Sequence, residues 1–170
     1  MIWKADPTTR TLLIGGILAL AGELIRYWGV AYAGSLTRVT TVGAPEVVIA
    51  GPYAFVRNPL YVGNMMMYVG VGIMSNALVP WLPIAALMFF ALQYSMIVSL
   101  EEEFLEREFG AAFLEYRKNV PKFFPRFVPY ESPAQEHQRP KWKEALRSER
   151  RTLQALAIVI LIILALWYFG

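Results

Sequence analysis

The sequence predicts an all-α integral-membrane bundle of about four transmembrane helices, and three observations lead there. Hydrophobic residues make up 56% of the 170-residue chain, and the mean hydropathy is +0.41, more apolar surface than a soluble domain of that size buries. Apolar runs near 11–32, 60–79, 80–100 and 152–169 each approach the roughly 20 residues needed to cross a bilayer. Charge is distributed unevenly as well. Apart from Lys4, Arg10 and Arg26, every lysine and arginine falls within 33–59 or 101–151, which the positive-inside rule makes cytoplasmic.

The first run contains Ala31-Tyr32-Ala33, which fits a small-residue cleavage pattern, but Glu23 and Arg26 interrupt the apolar stretch well before it. It is therefore read as a retained span rather than a secretory leader. Glu23 and Arg26 lie one turn apart and are expected to pair with each other. Spans two and three are joined by the uncharged SNALVPW, a short link that makes them a hairpin. The third span should continue as a charged cytoplasmic helix from Glu101, with Gly110 ending or bending it and a second helix running from about Ala111 to Asn119. Pro121 and Pro125 stop helix formation.

A Pro-containing polar linker follows over 126–140, with His137 read as a solvated surface residue. From Lys141 a basic amphipathic helix turns into a last span, with Trp142, Trp167 and Tyr168 as interface anchors. This divides the chain into a membrane core over 1–125 and a linker, amphipathic helix and final span over 126–170, the latter read as an anchor.

Composition also excludes some chemistry. There is no cysteine and one histidine, so disulfides, Cys/His zinc sites and Ser-His-Asp or Cys-His nucleophiles are not expected, and no metal ligand set is assigned. The basic residues suit anionic membrane lipids. Nucleic acid is not an expected partner, because glutamates are interleaved with them and no recognition motif is present. Nothing in the sequence fixes an oligomeric state.

Two polar clusters carry the chemistry. In GPYAFVRNPLYVGN, Gly51 and Pro52 build a turn, Asn58 is placed to cap the second span, and Pro59 takes an early helix position. In EEEFLEREFG, Glu101, Glu102 and Glu103 sit where the third span emerges, against the negative end of its dipole. They require something positive nearby, either Arg57 or a cationic ligand. The hairpin brings these two clusters to one membrane level.

These motifs resemble the isoprenylcysteine carboxyl methyltransferase family with its bacterial and phospholipid-methylating relatives. The resemblance rests on Gly51, Pro52, Tyr53, Arg57, Pro59, Tyr61, Glu101, Glu102, Leu105, Phe109, Gly110, Tyr116, Val120 and Pro121. It implies an integral-membrane methyltransferase that uses S-adenosylmethionine at the cytoplasmic face and leaves S-adenosylhomocysteine. Carried over by position, the cofactor contacts would be Pro45, Glu46, Val47, Val48, Tyr53, Asn58, Pro59, Leu60, Tyr61 and Glu101, and the catalytic group would be Arg57, Asn58, Tyr61 and Glu102. The substrate would be a lipophilic or isoprenoid-like small molecule, or a lipid. Phospholipid amine methylation is the enzymatic alternative, and a scaffold binding anionic lipid is the non-enzymatic one. Asn58 stands where the family pattern has histidine, and Ile97 where carboxyl-methylating members place an arginine. A prenylcysteine carboxylate is accordingly a doubtful acceptor.

Overall fold

The computed structural model describes residues 5–34 and 46–169, and among these there is no strand. Five α-helices follow in order: α1 Thr9–Ala33, α2 Pro59–Ser75, α3 Trp81–Phe109, α4 Ala111–Asn119 and α5 Trp142–Phe169, with 3-10 turns at Gly51–Ala54 and Pro133–Gln135. Three of them, α1, α3 and α5, are long and apolar enough to cross a membrane. Helix α2 has 17 residues, about 25 Å at 1.5 Å per residue, near the short limit for a span.

The fold starts from glycine packing between α1 and α2. In lipid there is no hydrophobic gain from bringing two apolar helices together, so close backbone approach must supply the attraction. Gly15, Ala19 and Gly22 form a buried stripe on α1, facing Gly63 and Gly70 of α2. A Cβ on Gly22 would lie 2.5 Å from the Gly63 carbonyl oxygen, and one on Gly63 would lie 2.5 Å from that of Gly22. The N-terminal end of α1 is fixed by reciprocal bonds between Thr8 and Thr11. Asp6 meets the far end of α2 through Asp6 N to Ser75 O (3.1 Å) and Asn76 Nδ2 to Asp6 O (2.8 Å). The two helices are thus antiparallel.

After the turn at 76–80, α3 returns alongside α2 and continues unbroken past Glu101 to Phe109, and Gly110 at φ 51° redirects the chain into α4. The left-handed backbone there favours glycine. Helix α4 closes a small core in which Phe113, Tyr116 and Val120 pack with Ile49, and Val47, Leu105, Phe109 and Tyr130 join from the edge.

Helix α5 is one continuous helix laid against α1. Ala145 packs on Val30 and Ala31, Lys141 N donates to Ala31 O (2.7 Å), and the Trp142 ring lies 5.4 Å from that of Tyr27. The expected Glu23–Arg26 pair is present, and this crossing gives Arg26 a second, closer carboxylate. Arg26 Nε is 3.6 Å from Glu23, whereas its Nη2 is 2.7 Å from Glu149 of α5, and Nη1 donates to Asn64 of α2. Glu149 arrives from across the interface, where the guanidinium fork can reach it directly. Arg26 thereby ties three helices together at a buried point, Glu149 being 1% and Glu23 3% exposed.

Candidate active site

The site grows from the turn that precedes α2. Gly51 has φ 62°, and a Cβ there would press into the Tyr32 ring, so glycine is required both by backbone and by space. Pro52 O accepts from Phe55 N and Val56 N, each at 3.1 Å, which winds the chain tightly and delivers Arg57 inward. The Arg57 guanidinium donates through Nε to Glu102 Oε1 (2.9 Å) and through Nη1 to the carbonyls of Arg117 (2.9 Å) and Val120 (2.5 Å). Its backbone N donates to Pro121 O (2.9 Å). One arginine therefore binds the exit of α3 and the C-terminal turn of α4 to the turn, and Arg57 answers the positive charge that the acidic run requires, through Glu102.

Asn58 stands at the N-cap position of α2, but its side chain makes no cap bond. Instead Nδ2 donates to Lys122 O (3.1 Å), and the expected side-chain cap is replaced by a tie to the segment after α4. The N-cap backbone at φ −125° and ψ 58° lies outside the extended region from which a side-chain oxygen ordinarily accepts from the N2 or N3 N–H. Pro59 itself is buried, and Leu60 packs toward α1 and α5 with Val30, Ala31 and Ala145.

Tyr61 is the first α2 side chain to meet α3. Its hydroxyl donates to Glu101 Oε1 (2.6 Å), and its ring lies 4.7 Å from that of Tyr94. Among the described residues, no lysine or arginine forms an ion pair with Glu101, whereas Glu103 and Glu106 each have one and Glu102 has two. Burial pushes the Tyr53 phenol above its ordinary range, and the nearby Glu101 charge adds to that. Tyr116 is raised for the same first reason, and its hydroxyl donates to Tyr53 O (2.8 Å).

The segment at 46–50 reaches the site by a clasp. Gln138 Oε1 accepts from Ile49 N (2.9 Å) and Ala50 N (3.0 Å), Gln138 Nε2 donates to Val47 O (2.9 Å), and Gln135 Nε2 donates to Ile49 O (2.8 Å). His137 lies 2.6 Å from Glu46 Oε2; it is exposed as expected of a surface residue, but it has a partner. Val48 is half-buried beside this clasp. Pro45 lies outside the described residues. Sequence reasoning missed Gln135 and Gln138, because an amide side chain that pairs with a distant backbone leaves no local pattern.

The class defined by this arrangement is a helical membrane protein that holds a tyrosine-bonded carboxylate at the exit of a helical hairpin. The chain matches the phospholipid methyltransferase family over residues 10–112, and it belongs to that family. It is 34% identical over 129 residues to the cobalt-zinc-cadmium resistance protein CzcN of Cupriavidus metallidurans, covering 75% of this chain and 56% of that protein. It is 32% identical over 131 residues to the nickel-cobalt-cadmium resistance protein NccN of Alcaligenes xylosoxydans xylosoxydans, covering 76% and 57%. Protein-S-isoprenylcysteine O-methyltransferase A of Arabidopsis thaliana is 32% identical over 113 residues, covering 62% and 55%. The chain thus aligns with little more than half the length of these relatives. No solved structure matches it.

Proposed function

We propose that the protein is an integral-membrane methyltransferase that transfers a methyl group from S-adenosylmethionine to a lipophilic acceptor at the cytoplasmic face. The observation that carries this reading is Glu101, a carboxylate bonded to Tyr61 at the mouth of the α2–α3 hairpin, with no basic partner among the described residues. When bound, S-adenosylmethionine supplies an electrophilic methyl on a sulfonium, together with an ammonium. Carboxylate and aromatic faces are suitable partners for both positive centres, so the residues present fit the group.

Glu101 and Tyr61 would hold a positive centre, Tyr53 would wall the site, and the clasped segment from Glu46 to Val48 would close it from the other side. Asn58 contributes an amide, which cannot exchange a proton at neutral pH. That suits methyl transfer, where alignment and exclusion of water do most of the work. Arg57 donates to Glu102 and to the carbonyls of Arg117 and Val120. In this reading Arg57 and Glu102 position Glu101 rather than touch the reacting atoms. Helix α2, though short, is the remaining span of a four-span topology with both termini outside.

The names of the two bacterial relatives refer to metal resistance, and the plant relative is named for methylating prenylated cysteine; the reading for this chain rests on the family and on Glu101. The experiment is calorimetry with S-adenosylhomocysteine in detergent, followed by incubation with labelled S-adenosylmethionine and a total lipid extract. A saturable site and a labelled lipophilic product are expected. Labelled methylated phospholipid amines would assign the acceptor to lipid headgroups, and no saturable binding by a folded protein would leave only a lipid-binding scaffold.

A further inference from the structure

The segment after α4 carries apolar side chains that the interior does not use. Phe124 is 86%, Phe127 101% and Val128 65% exposed. The backbone that presents them is nevertheless held firmly. Arg57 N donates to Pro121 O (2.9 Å), Arg126 N to Phe55 O (3.0 Å) and Tyr130 N to Ala54 O (2.9 Å), and Asn58 Nδ2 reaches Lys122 O (3.1 Å). That strip of bonds fixes the backbone from which these side chains project.

Their level relative to the apolar helices is also fixed. Lys122 Nζ donates to Ser99 Oγ (3.0 Å), which sets the loop beside the last apolar turn of α3. There Met96 and Leu100 are exposed, and the acidic run begins one residue later. Lys118 is exposed, and Lys122 and Arg126 flank the phenylalanines half-buried, with Arg126 Nη1 donating to Asn119 O (2.8 Å) and Lys122 Nζ lying 4.0 Å from Glu102. Apolar groups continuous with the exposed flank of a membrane-crossing helix, rimmed by cations, match the boundary between acyl chains and anionic headgroups.

We propose that residues 123–128 form an interfacial wedge, with Phe124, Phe127 and Val128 inserted at the acyl-chain boundary and the flanking cations meeting anionic phosphates. Because the same strip of bonds holds Ala54, Phe55, Arg57 and Asn58, the wedge sets the depth of the Tyr61–Glu101 pair in the bilayer. This holds whatever reaction the site performs.

The chain has no cysteine, so single spin labels can be placed without background. Phe124→Cys, Phe127→Cys and the control Ser132→Cys are labelled and reconstituted into vesicles containing phosphatidylglycerol, and relaxation by oxygen is compared with relaxation by a water-soluble nickel chelate. Neither phenylalanine supports the interior, so the variants should elute as the parent does. The expected result is an oxygen-to-nickel ratio severalfold higher at 124 and 127 than at 132, falling when phosphatidylcholine replaces the anionic lipid. Ratios equal to that at 132 would place the loop in water and overturn the proposal. Protection from both reagents with dipolar broadening would overturn it too, by assigning the face to a second copy of the chain. A high ratio that ignores lipid charge would overturn the part given to the cations.

Discussion

Replacing Arg57 by alanine tests whether that residue positions the site or acts in it. The side chains of Arg57 and Glu102 are 11% and 14% exposed, so the substitution strands a largely buried carboxylate as well as the carbonyls of Arg117 and Val120. Breaking such a pair from one side costs about 3–5 kcal/mol. Lys122 Nζ, 4.0 Å from Glu102 Oε2, can draw closer, which puts the expected loss near the lower end, about 3 kcal/mol. For a chain of this length that corresponds to a fall in Tm of roughly 6–12 °C. Arg57→Lys keeps the charge but not the fork, and should lose about half as much. The assay is thermal unfolding in one detergent, paired with equilibrium binding of S-adenosylhomocysteine. If Arg57 positions the site, stability and ligand affinity fall together, and Arg57→Ala with Glu102→Ala loses less than the sum of the two single variants. An Arg57→Ala protein with unchanged Tm but abolished turnover would refute this reasoning and give Arg57 a direct role.

Glu101→Gln should weaken binding of S-adenosylhomocysteine by about 1–3 kcal/mol, the scale of a charge-assisted hydrogen bond, while Glu103→Gln, which disturbs only the exposed pair with Arg107, should leave a titration unchanged. Asn58→Asp removes the donor to Lys122 O and sets a carboxylate against that carbonyl, so it should lower Tm by a few degrees, as a scan would show, even though aspartate caps helices well. Glu149→Gln should destabilise more than Glu23→Gln in detergent unfolding, because Arg26 is 2.7 Å from the first and 3.6 Å from the second. Gly63→Val should prevent α1 and α2 from closing, and loss of a monodisperse folded peak in size-exclusion chromatography would register it, since the new Cβ meets the Gly22 carbonyl oxygen, backbone that cannot move aside, as well as Arg26 Cγ.

What the sequence made readable was whatever depends on near neighbours or on a period. The break at Gly110, the short helix from Ala111 to Asn119 and the hairpin that joins Tyr61 to Glu101 all follow from apolar runs, turn residues and proline, and each stands where those signals put it. Arg57 could be offered to the acidic run as a partner, yet nothing local told Glu102 from Glu101. That choice depends on which side of α3 faces the turn, which is decided by the rotation of the helix in the assembled hairpin.

The long-range ties escaped for the same physical reason. Glu149 lies 123 positions from Arg26, in a stretch whose basic character suggested a helix lying on the membrane surface, and only the crossing of α5 over α1 turns it into a buried partner. Gln138 lies 88 and 89 positions from the backbone groups it satisfies at Ala50 and Ile49. The polar segment over 126–140 looks like a tether in sequence because its composition is that of a loop. In the fold its amides substitute for the peptide groups that 46–50 would otherwise need from a neighbouring strand. With no sheet to join, residues 46–50 satisfy these backbone groups through the side chains of Gln135 and Gln138. This gives the region after residue 125 a part in shaping the site that its composition alone does not reveal.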